Sequence, residues 1–426
     1  MITPVETKNG TGAKSGGGLF TLPDGRNLLV TFILVTSLFS LWGFCNGMID
    51  ILNKHFQNTL HINKFQSGFV QFANYLAYFL MAIPAGLLAR RFGYKGGIII
   101  GLVLIATGAL WFIPATHIGT YWAFLTGLFI LATGMTCLET IANPYATVLG
   151  PPESGATRIN FSQTFNGVGW ILGPIVGGMF VFSGTDPKPN ADANGGLYLP
   201  YLGVGIAAVI MVVIFSFAYI PDLQAVEEAR VEVAGTGRKP LFQRWHFVLG
   251  VAAQFFYVAA QTGIFSFFIN YVVENDHSVP EKQASWMLGA YGFVLFTLGR
   301  FCGSALISVS KPNWVLSGYA GVCALLTALA MGGGKAGFIG LLGTFFFMSI
   351  MFPTIFALAI RGLGEHTKLG SSLIVMSIVG GALAPPLMGH IADISSMRVG
   401  FAVPLVCFVL IAIYGAVWQK LENKDQ

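Results

Sequence analysis

Charge is what this sequence has least of. Asp, Glu, Lys and Arg make up 10% of its 426 residues, against about 25% in an ordinary soluble domain. Cysteine is also sparse. The five (Cys45, Cys137, Cys302, Cys323, Cys407) all fall in apolar segments, without CxxC spacing and without histidines at metal-ligand spacing. That excludes a disulfide framework or zinc module and leaves small buried side chains. There is no HExxH, no Gly-rich phosphate loop and no DxD pair, so a membrane-embedded enzyme such as a glycosyl transferase lacks its machinery and no cofactor is expected. The net charge of +5 comes without a basic run interleaved with aromatics, which speaks against nucleic acid as a partner. No cleavable signal peptide is visible. Residues 1–26, polar and Gly-rich, read as a disordered cytoplasmic tail.

What is abundant is apolar surface. The chain is 54% hydrophobic, with 37 Phe and 54 Gly. Aromatics suit lipid-facing surfaces, and small residues let membrane helices pack closely. Twelve stretches are long enough to cross ~30 Å of hydrocarbon: 28–52, 65–89, 96–115, 120–148, 159–183, 198–220, 246–273, 284–309, 313–331, 337–360, 369–392 and 400–419. An all-α, multi-pass membrane protein follows, with lipid as its surroundings. An even span count puts both termini on one side. With that side cytoplasmic, 17 of the 23 Lys and Arg fall inside, as the positive-inside rule requires.

The longest polar interruption on that side, 221–244, splits the spans six and six. The expected organisation is a tail over 1–26, a first half over 27–220, a linker over 221–244, a second half over 245–419 and a short tail over 420–426. Pro144 and Pro353 sit alike in spans four and ten, and Pro174 and Pro385 in spans five and eleven. Two six-helix halves related by such an echo describe the major facilitator architecture, with substrate held near midplane between them. The segment from Gly86 to Lys95 resembles the loop signature of that superfamily, except that Arg90 occupies the usual Asp position.

Only two carboxylates, Asp50 and Glu139, fall well inside apolar segments. Each costs at least ~2.5–3.5 kcal/mol at bilayer depth on insertion scales, so a polar path through the membrane is their natural use. Both become candidates for proton coupling. Asn46 and Asp50 share a face of span one, four residues apart. Gln71, Asn74, Tyr75 and Tyr78 share one face of span two, and Glu139 and Asn143 one face of span four. Asn160, Gln163, Asn166 and Trp170 form a stripe on span five, as do Gln254, Tyr257 and Gln261 on span seven. Lipid offers these groups no partner, so the stripes should face the bundle interior. Amides donate and accept as sugar hydroxyls require, and aromatic faces suit the C–H face of a pyranose. The alternative is hydrogen bonding that only holds helices together. His390 reads as structural, His55 as a span-edge residue, and Arg300 as a snorkelling side chain.

These residues carry a family resemblance. Ser40-Leu-Trp-Gly through Asp50, Cys137-Leu-Glu-Thr-Ile-Ala-Asn-Pro144, Gln163-Thr-Phe-Asn166, Ala253 to Thr262, Pro353-Thr-Ile-Phe356 and Gly370 to Met376 resemble the fucose–proton symporter family. That bacterial branch of the major facilitator superfamily includes glucose/galactose and N-acetylglucosamine carriers. The similarity runs from about residue 30 to about residue 415. It implies a sugar carrier with Asp50 and Glu139 as its proton- and sugar-linked acids, and a monomer in the bacterial inner membrane is expected. It also implies that Gln163, Asn166, Tyr257 and Gln261 contact the sugar. Two departures stand out. Gly47 replaces an Asn of the fucose carriers, which would open space for a bulkier hexose or an N-acetyl group. Phe352 stands where a tyrosine is expected. Coupling to Na⁺ and a transporter-like sugar sensor remain the alternatives, though short tails leave a sensor little room to signal.

Overall fold

A computed structural model describes residues 19–21, 25–151, 155–182, 196–221, 240–363 and 367–425. Most of the expected N-terminal tail, linker residues 222–239 and the side chain of Asn160 lie outside the described residues. One isolated bridge, Thr21 to Asn27, is the extent of β-pairing among the described residues. The first half holds α1 (Leu29–Leu60), α2 (Phe69–Leu110), α3 (Tyr121–Val148), α4 (Gly155–Val181) and α5 (Tyr198–Phe217). The second holds α6 (Trp245–Asn275), α7 (Glu281–Ile307), α8 (Pro312–Gly332), α9 (Gly334–Ile360), α10 (Leu369–Ile394) and α11 (Met397–Lys424).

α2 is 42 residues long, which as one rod would measure about 63 Å, twice the hydrocarbon thickness. Gly93 breaks it. Its φ of 70° and ψ of 175° interrupt the helix, and glycine alone adopts that conformation without Cβ strain. The eleven helical runs are therefore twelve spans, and the turn falls inside the loop signature read from sequence. α1 continues past the expected end at 52 to Leu60, which draws His55 into the helix and buries it.

The face that carries the start of α1 is tied to the end of α5, where Thr31 donates to the Tyr219 carbonyl at 3.1 Å. Its basic residues cap helix C-termini, whose last carbonyls have no partner in the helix. Lys95 Nζ donates to the carbonyls of Ser216 and Ala218 at 2.8 and 3.0 Å. The buried Arg158 reaches the carbonyls of Ala146, Thr147 and Pro151 at the end of α3, and that of Leu19. In the second half Arg244 donates to the Gly362 carbonyl and His246 bonds that of Arg361.

Within the first half, α1 and α4 pack backbone to backbone. A Cβ on Gly43 would collide with the Asn166 carbonyl, and one on Gly173 would lie 2.8 Å from the Gly47 Cα. Between halves, α1 meets α6, α2 meets α10, and α4 meets the start of α7. The bonds that join the halves run from Thr262–Tyr75 (2.9 Å) to the face opposite the chain termini, the distal face. There Asp393 accepts from the backbone N–H groups of Lys64 and Phe65 at 3.1 and 2.9 Å. Lys64 Nζ lies 2.8 Å from Glu274, and Asn270 donates to Gln57 at 2.6 Å. Glu139, Asn143, Gln163 and Gln261 stay partly exposed at mid-helix. The distal face is thus closed and the polar interior opens toward the termini.

Asp393 is itself exposed, so water screens its bonds and each contributes about 1 kcal/mol at most. Asp393→Ala should make the distal face open roughly fivefold more often. Labelling of a cysteine at position 285, where Ser285 is buried between the halves against the Pro174 carbonyl, by an impermeant maleimide measures this, and unchanged labelling would show that the Asp393 latch does not hold that face shut.

Candidate substrate and coupling site

The two intramembrane carboxylates occupy different environments. Asp50 is sealed, with 3% of its surface exposed. Its Oδ1 accepts from Gln71 Nε2 at 2.9 Å, and its Oδ2 has no hydrogen-bond partner. Glu139 is partly exposed and lies within hydrogen-bonding reach of the Tyr78 hydroxyl, which also accepts from Trp42 Nε1 at 3.0 Å.

The stripes turn inward as their spacing predicts, but neither carboxylate bonds the amide four residues along its own helix. Asn46 donates instead to the Trp42 carbonyl at 3.1 Å. Asn143 accepts from Gln163 at 3.1 Å. The carboxylates take their partners from α2, because a helix face points its side chains at neighbours rather than at one another. Gln163, Asn143, Trp170 and Gln261 are partly exposed and can meet a ligand. Asn74 is buried, its Oδ1 without a partner. Asn166 is buried and donates to the Phe39 carbonyl at 3.2 Å, so in this conformation it helps join α4 to α1.

In the second half Gln254 and Tyr257 are fully buried, and the Gln254 amide and Tyr257 hydroxyl have no hydrogen-bond partners. Tyr257 packs edge-on to Phe352, ring centroids 6.2 Å apart. Trp170 is wedged edge-on between Phe265 and Phe293, at 5.6 and 5.1 Å, which roofs the polar interior on its distal side. Phe293 closes a six-residue π-helical stretch, Leu288–Phe293, in α7. Such wider turns recur at functional sites, and this one also presents Gly289 to the Ile171 carbonyl.

Two readings from sequence change. Gly47 does not open a pocket for a larger sugar. A Cβ there would lie 2.8 Å from the Trp170 carbonyl and 3.0 Å from Pro174 Cδ, so the space belongs to the α4 backbone. Arg300 is more than a snorkelling side chain. It sits over the Phe296 ring at 5.0 Å and interacts electrostatically with the Tyr257 hydroxyl on α6. Thr262 and Ser266 were missed altogether, since hydroxyls at helical spacing do not stand out among the small residues of a membrane helix.

Twelve spans in two halves around buried acids and amides define a secondary transporter of the major facilitator fold. The Major Facilitator Superfamily profile matches residues 28–377. The L-fucose-proton symporter of Escherichia coli K12 is 38% identical, over 92% of this chain and 93% of that protein. The glucose/galactose transporter of Brucella abortus is 37% identical, over 91% and 93%. The crystal structure of the transporter FucP in the outward conformation superposes with a TM-score of 0.67 at 37% identity, over 92% of this chain and 99% of that one. A bacterial homologue of Spinster, at 16% identity and a TM-score of 0.73 over 94% and 99%, shares the fold. The chain belongs to the fucose–proton symporter family of the Major Facilitator Superfamily.

The geometry separates two amides of one stripe. Gln163→Ala should weaken sugar binding roughly 5- to 150-fold, the ~1–3 kcal/mol of a sugar hydroxyl left without its partner, with little change in thermal stability, because water can replace Gln163 at Asn143 in the partly exposed interior. Asn166→Ala should also destabilise the protein by about 1 kcal/mol, because the bond to Phe39 is lost. Gly47→Asn, which restores the amide of the fucose carriers, should cost ~1–3 kcal/mol of stability through overpacking and leave the order of sugar preference unchanged. Calorimetric binding and melting of purified protein test all three; a switch to fucose in Gly47→Asn would show that this position does shape the pocket.

Proposed function

We propose that this chain imports a monosaccharide across the bacterial inner membrane by proton symport, working by alternating access. The supporting observation is the pair of intramembrane carboxylates, one sealed between the halves and one on the open polar interior. The L-fucose-proton symporter and glucose/galactose transporters among its relatives support a sugar as cargo and a proton as driving ion. A hexose, deoxyhexose or N-acetylhexosamine fits the amide-rich wall of the first half. The protein acts as a monomer with both termini cytoplasmic, and its halves divide within 221–244.

Glu139 and Asp50 carry the coupling. In the state with its distal face closed, Glu139 can exchange its proton with the cytoplasmic side, while Asp50 is shut off from both. A neutral carboxyl can pass through a closing apolar gate. The ionised form resists burial, since no Lys or Arg among the described residues bonds it. Sugar bound against Gln163, Asn143 and Gln261 bridges the halves and is carried when they rock. Asn46, Gln71, Asn74, Asn166, Trp170, Gln254 and Tyr257 complete the proposed site, several of them reaching the sugar only as the halves move.

Glu139→Gln mimics the protonated acid. It should keep sugar binding and counterflow exchange and lose proton-driven accumulation. Asp50→Asn should likewise abolish uphill accumulation. Uptake from a panel of fucose, galactose, glucose, mannose and N-acetylglucosamine into proteoliposomes, under pH or Na⁺ gradients, tests the proposal. Accumulation driven by Na⁺ alone would replace the proton as coupling ion, and accumulation by Glu139→Gln under a pH gradient would remove Glu139 from the mechanism.

A further inference from the structure

Unpartnered polar atoms gather on one seam. α1 and α6 cross in the distal half through two rungs in the same register. Asn53 Nδ2 donates to the Ser266 carbonyl at 3.2 Å, and one turn further Asn270 Nδ2 donates to Gln57 Oε1 at 2.6 Å. Asp50 lies one turn below, with the Ser266 hydroxyl within hydrogen-bonding reach of its carboxyl. Yet Asp50 Oδ2, Ser266 Oγ, Asn53 Oδ1 and Asn270 Oδ1 are all buried and without a hydrogen bond of good geometry. Asp50 belongs to the first half and Ser266 to the second, so this is where the halves meet.

Three of those four atoms only accept. With Asp50 ionised, the seam has one free donor, the Ser266 hydroxyl, for three bare acceptors, and buried acceptors left bare oppose closure. One added proton changes the count. Asp50 Oδ2–H can donate to Ser266 Oγ, and Ser266 Oγ–H to Asn53 Oδ1. The titratable or charged groups facing Asp50 are few. Tyr75 on α2 interacts with it electrostatically, Glu139 lies on α3, Cys45 and His55 flank it on α1, and Lys54, one turn along α1, is drawn instead to Glu281 at 3.9 Å. α4 faces it with no titratable side chain from 159 to 181, and α6 has none between Tyr257 and Tyr271. Among the described residues no cation bonds Asp50 in place of the proton.

We propose that Ser266 is a positioning residue for coupling: its hydroxyl accepts a hydrogen bond from the protonated Asp50 carboxyl across the interface of the two halves, so the distal face closes when that proton is aboard. The inference rests on the symport reading above and adds the residue by which the second half senses protonation of the first. It also explains why Asp50, distant from the open interior in this conformation, belongs in the cycle.

The test uses full-length protein in proteoliposomes, with Ser266→Ala to delete the hydroxyl and Ser266→Thr to keep it. Two readouts are taken across pH: sugar accumulation under a pH gradient, and maleimide labelling of a distal cysteine at position 285, which is buried between the halves when that face is closed. In the parent, labelling should fall as pH drops, because protonation closes the seam. Ser266→Ala should flatten that dependence and lower accumulation roughly tenfold, the worth of ~1.4 kcal/mol, and Ser266→Thr should restore both. A purely structural role would lower both signals without moving the pH midpoint, and that result overturns the proposal. An unchanged pH profile in Ser266→Ala overturns it too. If Na⁺ at fixed pH closes the distal face, the four oxygens hold a cation rather than a proton and the proposal falls. If the parent itself does not accumulate sugar under a pH gradient, the symport reading falls and takes this inference with it, which separates the two failures.

Discussion

Hydrocarbon gives a polar side chain nothing to bond, and the architecture of this carrier follows from that. An amide or carboxylate within the spans must find a partner in the protein, face water in the interior, or stay bare at a cost, as Gln254 and one oxygen of Asp50 do. The face of α2 that carries Gln71, Tyr75 and Tyr78 therefore serves both acids, one through Gln71 and the other through Tyr78. Tyr75 reaches across to Thr262 in the second half. One helix face thus connects the two acids to each other and to the interface along which the protein moves.

Close packing and exchangeable polar bonds both join the helices. Inside the first half, α1 and α4 meet through Gly43, Gly47, Gly169 and Gly173 at backbone distance. Contacts that close are dry and leave no room for sliding, so the pair travels as one body. Between the halves there are close glycine contacts too, Gly68 on Pro386, Gly389 on Lys64 and Gly289 on Ile171, and beside them hydrogen bonds and ion pairs: Asn53 with Ser266, Gln57 with Asn270, Asp393 with the backbone at Lys64, and Lys64 with Glu274. Such bonds exchange readily for bonds to water, so their net cost of opening is small. A rocking carrier needs bonds of that exchangeable kind where its halves part.

The basic face at the chain termini has a structural role besides topology. Lys95, Arg158, Arg244 and His246 each bond carbonyls at the end of a neighbouring helix. A cation at a helix C-terminus meets both the bare carbonyls and the negative end of the helix dipole. These caps hold the ends of α3, α5 and α9 while the polar interior between the halves stays open on that side.

The sequence alone determined the all-helical membrane fold and its span count, because twelve apolar runs of sufficient length admit no other reading. It also singled out Asp50 and Glu139 and the faces on which the amides lie, since helical periodicity fixes which residues share a face. The tertiary structure decided the rest. Whether Gly47 borders a pocket or a helix depends on how closely α4 approaches, which the spacing of residues along one helix does not contain. That Asp50 is sealed while Glu139 is open depends on where the halves meet. Arg300, Thr262 and Ser266 gain meaning only from what stands opposite them. Local spacing selects the face a side chain takes, and packing between distant segments selects its partner.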